Sequence, residues 1–393
     1  MTDTVVLQYL LGTYRIKNPT RFKPYFSPID PTNTDQRTRF LREYRGNRKY
    51  TLNPSKLYRD QGTVYPNLTI IERIDQRTGI YSCSLDVSIS LPKLLWAHSF
   101  QETKDDDFSD TVFFIIKRLF ELEISVTDQA TKNSTIKTLH YCCNFLFPSM
   151  EEARIFLDRL SKCLLTKWFE NNTKTFSNDG IAIRFHTNVF EIVFYLKYYD
   201  VLEKNDRSMD RHKTLQEKEI ARQALKKNKI PPLIRMELRF NGVRSVRSHL
   251  KAALDIDKPR WTLEEVFSSL KSRKILAYYW DKIISDPLNK AYLSTTSDED
   301  VCRRVHGKFK GEKIRLRSEA LGLFYQLKNL GTKGLRNLIE LEKKRKYWID
   351  KRRKLIDFLN KFVKQDESLI NFVTEVLENK PTQLKLPFVD LTK

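Results

Sequence analysis

The chain has 393 residues, 40% of them hydrophobic, which is enough for real cores and suggests two or three domains. No run of about eighteen apolar residues occurs, which argues against a helical membrane span. Lys and Arg number 71 against 49 Asp and Glu, a formal charge of +22. That excess predicts a polyanionic partner, nucleic acid rather than an anionic membrane, because no lipidation motif or amphipathic anchor is evident.

The opening "MTDTVVLQYLL" carries an acid where a signal peptide would carry a basic region, so the expected location is the cytoplasm. Its residues 4–11 read as a strand. Residues 18–61, rich in proline, asparagine and arginine, read as long loops with a short helix. Residues 64–72 read as another strand. From there strands and helices alternate. In "YSCSLDVSIS" (81–90), Cys83, Leu85, Val87 and Ile89 fall on one side, with Ser84, Asp86, Ser88 and Ser90 on the other. A helix is predicted from about Asp110, with Val112, Ile115, Ile116 and Leu119 on one face. "TLHYCCNFLF" (138–147) sets Leu139, Tyr141, Cys143 and Phe145 against His140, Cys142 and Asn144. Ser149 and Glu152 then form a capping box before a helix whose stripe is Ala153, Phe156, Leu160, Cys163 and Leu164.

"VFEIVFYLKYYDVLEK" (189–204) reads as a third alternating strand. Phe190, Ile192, Phe194, Leu196 and Tyr198 share one side; Glu191, Val193, Tyr195, Lys197 and Tyr199 share the other. A charged helix is predicted over about 211–228. In "PLIRMELRF" (232–240), Ile234, Met236, Leu238 and Phe240 point inward, and Arg235, Glu237 and Arg239 outward. A further helix runs over about 243–254. Half-polar strands of this kind suit an antiparallel sheet better than a parallel one buried on both faces. The predicted class is therefore α+β: a largely antiparallel sheet with helices on one face and an open polar face carrying Asp86, His140, Tyr195, Lys197, Arg235, Glu237 and Arg239. Near residue 257 the pattern changes. Thr262 and Glu265 form another capping box, and nearly everything to about Asn379 reads as helix, with "NLGTKGLRNL" as a turn between two of them. The expected division is 1–256 and a basic helical domain, 257–393.

Five cysteines, Cys83, Cys142, Cys143, Cys163 and Cys302, lack CxxC spacing and read as reduced thiols. P-loop, GxGxxG, HExxH and serine-elbow motifs are absent, so ATP-driven and triad hydrolase chemistry has no support. Tyr195 is a candidate nucleophile. A free phenol has a pKa of about 10 and needs a nearby cation, base or metal before it can attack a phosphodiester. Lys197 could supply the cation. Glu237, Asp86 and His140 could hold Mg²⁺ or Mn²⁺, which oxygen ligands with some imidazole suit. The blander alternative is that a strand tyrosine packs, Glu237 joins an ion-pair ladder with Arg235 and Arg239, and His140 is simply satisfied. The acids Asp105–Asp107 fit a helix N-terminus. Lys343, Lys344, Arg345, Arg352 and Arg353, with Arg235 and Arg239, are candidate phosphate contacts.

"FYLKYYDVLE", followed about thirty-five residues later by "LIRMELRFNGVRSVRSHL", resembles the gene II/X replication initiators of filamentous phages. "CSLDVSISLPKLLWAHSF", "LHYCCNFLFPSMEEARIFLDRL", "LRSEALGLFYQLKNLGTKGLRNLI" and "LPFVDLT" fit in the same order, so the likeness covers nearly the whole chain. The resemblance implies rolling-circle initiation, in which one DNA strand is nicked and its 5′ phosphate joined to a tyrosine. It carries that role to Tyr195, with Lys197, Asp200 and Glu237 at matching positions. It also implies a replication origin as substrate, with host polymerase and helicase as partners. His140 and Cys142 stand where the family strand carries arginine and aspartate, and Ala97 and Ser99 flank His98 in place of a Gly-His-Asn pattern. The ligand set is thus open, and a non-catalytic DNA-binding regulator or single-strand binder on the same scaffold remains the alternative.

Overall fold

A computed structural model describes residues 1–30, 32–54, 63–163, 176–177, 180–203, 213–227, 231–293, 298–308, 314–342, 345–362 and 368–378. Its strands are β1 (Thr2–Leu10), β2 (Tyr14–Ile16), β3 (Asn47–Leu52), β4 (Asn67–Ile74), β5 (Tyr81–Ser90), β6 (Ile124–Val126), β7 (Thr135–Leu146), β8 (Phe176–Ser177), β9 (Ala182–His186), β10 (Phe190–Leu196) and β11 (Leu233–Asn241). In the first 260 residues the helices are α1 (Thr34–Tyr44), α2 (Leu91–Trp96), α3 (Phe108–Glu121), α4 (Asp128–Lys132), α5 (Met150–Lys162), α6 (Lys197–Leu202), α7 (Leu215–Lys227) and α8 (Val243–Leu254). Then follow α9 (Leu263–Val266), α10 (Ser269–Ile284), α11 (Pro287–Leu293), α12 (Asp298–Lys308), α13 (Ile314–Glu342), α14 (Arg345–Phe362) and α15 (Ser368–Glu378).

Nine strands form one sheet in the order β3-β4-β5-β1-β7-β11-β10-β9-β8, every neighbouring pair antiparallel. β2 and β6 make a separate two-stranded ribbon. The α+β class with a large antiparallel sheet and C-terminal helices is as the alternation requires. The apolar side of each strand enters the main core: Val5 and Leu7 of β1, Leu85 and Val87 of β5, Leu139 and Phe145 of β7, Ile192 and Phe194 of β10, Met236 and Leu238 of β11. α3, α5 and α8 supply the facing stripes through Ile115, Leu119, Phe156, Leu160, Val246 and Leu250.

Both capping serine/threonine positions form. The Ser149 hydroxyl accepts from the Glu152 amide at 3.1 Å, and Thr262 and Glu265 complete a reciprocal box. Inside α13, Gly331 adopts φ 67° and ψ 178°, breaking the helix where the sequence predicts a turn. The short helix expected within the loop-rich 18–61 is α1, eleven residues long, and the reading corrects only at β3, which follows it. β9 also goes unread by alternation, because only Ile183 and Phe185 mark its inner side.

The helices after residue 257 do not stand apart from the sheet. Trp261, Val266, Ile275, Trp280, Ile370 and Val373 are buried in the same cluster as the strand residues. Tyr141 donates its hydroxyl to the Val266 carbonyl at 2.9 Å, and Phe372 stacks edge-on to Phe147 at 5.5 Å between centroids. The two expected segments share one hydrophobic core. Among the described residues no helix is long and apolar enough to cross a membrane.

Candidate active site on the polar sheet face

The sequence of alternation places the second side of β10, β11 and β7 together. In the register, Tyr195 lies opposite Arg235, Val193 opposite Glu237, and Glu237 opposite Cys142, with Arg239 opposite His140. Tyr195 and Glu237 are therefore diagonal neighbours, within reach of long side chains. The Tyr195 hydroxyl donates to Glu237 Oε2 at 3.2 Å. Arg239 Nη2 donates to the same oxygen at 2.8 Å, and His140 Nδ1 lies 3.2 Å from Oε1. Glu237 thus carries the phenol, a guanidinium and an imidazole on one carboxylate.

A second acid arrives from β1. Thr2 pairs with Tyr141 and Val5 with Leu139, so Asp3 and Thr4 together face His140 across a β-bulge. The bulge brings Asp3 into the cluster, where Arg235 Nη1 donates to its Oδ1 at 3.2 Å. One ligand atom each from Asp3, His140 and Glu237 lie within 4.8 Å of one another. Two carboxylates and an imidazole are the donor set that Mg²⁺ or Mn²⁺ accepts, so the residues fit such an ion in type and spacing. An ion here would compete with Arg235 for Asp3 and with Arg239 for Glu237.

The expectation of an open face is corrected. Tyr195 and Arg235 are each 1% exposed and Glu237 3%. Tyr195 packs with Ala182 and Val193, and a small second core lies on the same side. Leu233, at the start of β11, packs with Phe100, Tyr198, Val201, Ile220, Ala221 and Ala224, drawn from the loop after α2 and from α6 and α7. Polar contacts fix that cover. Glu217 of α7 accepts from the Ser99 amide at 2.9 Å and from its hydroxyl, and pairs with Lys93 at 3.0 Å. Asn144 donates to the Phe100 carbonyl at 2.8 Å.

Arg235, expected on an open face, is instead buried and engaged within the protein. Its Nε donates to Asn144 Oδ1 at 2.9 Å, Nη1 to Asp3, and Nη2 to the Ser99 carbonyl, so it ties β11 to β1, β7 and the covering loop. Arg239 is mostly buried and pairs with Glu237 and with Glu191. Lys197 is not a strand residue. β10 ends at Leu196, opposite Ile234, and Lys197 opens α6; beyond Leu233 the partner strand gives way to Pro231 and Pro232, which cannot donate to a longer ladder. Lys197 still comes to the tyrosine: its ammonium lies 5.6 Å from the Tyr195 ring centroid and 6.0 Å from that of Phe100. Asp86 is not in the cluster. It sits on β5, two strands from β7, and is taken by Lys137 and by Gln8 at 3.4 Å.

In the C-terminal basic run, Arg352 pairs with Asp286 at 3.1 Å, whereas Arg353 is exposed beside Asp350. Arg345 begins α14 with its side chain outside the described residues, as are Lys343 and Lys344 altogether. On the sheet face Arg184, Arg235, Arg239 and Lys137 each have a carboxylate partner.

Electrostatics separate the two central groups. Burial would raise the Glu237 carboxyl, but Arg239 and the His140 bond outweigh it and hold Glu237 well below the usual carboxylate range. Burial, reinforced by the Glu237 charge, pushes the Tyr195 phenol well above its ordinary value. The hydroxyl is thus protonated and its neighbour ionised. Asp3, Asn144 and Ser99 were not legible as site residues. No motif surrounds Asp3, and only the bulge assigns its direction. Comparison of the chain with protein-family models, with curated proteins and with solved structures finds no match.

Proposed function

We propose that this protein is a DNA strand transferase that nicks one strand and holds it on Tyr195. The observation that carries the reading is the hydroxyl of Tyr195 bonded to an ionised Glu237 within the Asp3–His140–Glu237 cluster. Tyr195 Oη attacks the phosphorus, its proton passing to Glu237. The P–O3′ bond breaks, the departing 3′ oxygen takes a proton from water, and Glu237 releases the proton it received back to solvent. The phosphotyrosyl ester keeps the bond energy, so a 3′ hydroxyl can reverse the step without ATP. Asp3, His140 and Glu237 would hold a divalent ion, whose contribution when bound is Lewis-acid stabilisation of phosphoryl charge. Lys197 offsets negative charge beside the phenol. Tyr195 is only 1% exposed and must be uncovered before a phosphodiester reaches its hydroxyl. The sequence likeness to gene II/X initiators supports the same reading, with an origin as substrate and a host polymerase extending the freed 3′ end.

One observation favours a second reading. Asp3 and Glu237 are already matched by Arg235 and Arg239. In a DNA-binding regulator that does not cut, that network would only stabilise the sheet. The test is a random single-stranded DNA library, with supercoiled plasmid alongside, incubated with Mg²⁺ or Mn²⁺ and run under denaturing conditions. Transferase chemistry yields a covalent protein–DNA adduct that mass spectrometry maps to Tyr195 and that Tyr195→Phe abolishes. Absence of any adduct sinks the enzyme reading. An adduct surviving Tyr195→Phe moves the nucleophile, with Tyr198 and Tyr199 the next candidates.

A further inference from the structure

α3 is amphipathic twice over. Val112, Ile115 and Leu119 enter the main core, yet a second stripe points away from it. Phe113 is 59% exposed and Phe120 62%, with half-buried Ile116 between them and exposed Lys117 alongside. The two rings are seven residues apart, about 10 Å along the axis. Lys17, which follows β2, places its ammonium 5.2 Å from the Phe120 centroid, anchored by its own amide bond to the Glu123 carbonyl at 2.9 Å. Arg15 of β2 is exposed as well. The helix acid nearest the stripe's far end, Glu121, is held by Arg118 at 2.8 Å. Asp110 stands at the helix start, two turns before Lys117.

We infer that this stripe is a stacking surface for single-stranded DNA, each ring taking one base while Lys17, Lys117 and Arg15 meet phosphates. Area decides against a protein partner. Two phenylalanines exposed to this extent offer on the order of 250 Å², far below the roughly 800 Å² per side of a stable interface. Base stacking needs only one ring per base and tolerates any sequence. Positive charge beside each ring suits the phosphate chain between bases. The inference rests on DNA being the partner proposed above, but not on the chemistry of Tyr195.

The test is fluorescence anisotropy of labelled oligo(dT) with the full chain. Phe113→Ala with Phe120→Ala should weaken binding at least tenfold, since each lost ring is worth roughly 5- to 150-fold. Phe120→Trp should retain or strengthen it, and Lys117→Ala should lower the salt slope by about 1. All these positions are exposed, and circular dichroism verifies folding. Equal affinity of the double variant and the parent overturns the stacking surface alone. No oligo(dT) binding by the parent overturns the DNA reading too. A dimer that becomes a monomer in the double variant, with DNA binding kept, assigns the stripe to a second copy and overturns the inference. Selective loss of anionic-vesicle binding assigns it to lipid, with the same result.

Discussion

Asp3 and Asp86 illustrate how little an isolated acid reveals before strands are paired. Both lie on β-strands near polar neighbours, and Asp86 has the cleaner alternation around it. Pairing separates them: Asp86 is held by Lys137 on the far side of β1, and Asp3 stands beside Arg235 within reach of His140 and Glu237. Mn²⁺ binding followed by electron paramagnetic resonance should therefore distinguish them. Asp3→Asn should weaken binding on the order of tenfold or more by removing ligand charge, while Asp86→Asn leaves it unchanged. The reverse ranking would discard the cluster as an ion site. Tyr195, His140 and Glu237 were legible because period-two alternation fixes which side of a strand a residue occupies. The burial of Tyr195 and Glu237 was not, because it depends on which elements come to lie on that side of the sheet.

Elements went wrong where a local signal and its tertiary setting disagreed. The alternating pattern of 189–204 continues past Leu196, but the ladder does not, and a strand without a partner loses its hydrogen bonds. Residues 197–202 take the helix instead, which turns Lys197 back over the Tyr195 ring. Gly331 is the opposite case, a turn legible from composition and required by packing. Its φ and ψ fall in a region open essentially to glycine. A Cβ there would meet Lys162 Cβ at 2.3 Å and the Lys162 carbonyl oxygen at 2.7 Å. Gly331→Ala should destabilise the protein on the order of 3 kcal/mol by strain and overlap together. Urea denaturation measures it, and a loss below about 0.5 kcal/mol would show that α13 does not press against the end of α5.

For the whole molecule, the question is whether the helical part folds by itself. The change in pattern at residue 257 is real, yet Trp261, Val266, Trp280 and Phe372 cover the sheet core. Thr374 accepts from the Trp280 indole at 3.2 Å, tying the last described helix to α10. A chain ending at residue 256 would expose Tyr141, Phe145, Phe147 and Phe156. It should lack a cooperative transition, whereas the full chain should unfold in one, with tryptophan fluorescence and far-ultraviolet circular dichroism coincident. Two separated transitions in the full chain, with a stable 1–256 fragment, would restore independent domains.

Sequence by itself determined the α+β class, the antiparallel pairing, the sidedness of Tyr195, His140 and Glu237, and both capped helix starts. These follow from short-range rules, side-chain periodicity and local hydrogen bonding, which need no knowledge of distant partners. Only the tertiary structure decided that Asp3 joins that trio, that Arg235 is a buried tie, that Lys197 begins a helix, and that the polar face is roofed. Each of those depends on which remote strand or loop lies alongside, and on the high cost of leaving a buried charge without a counter-charge. That cost acts through space between residues as far apart in the chain as Asp3 and Arg235.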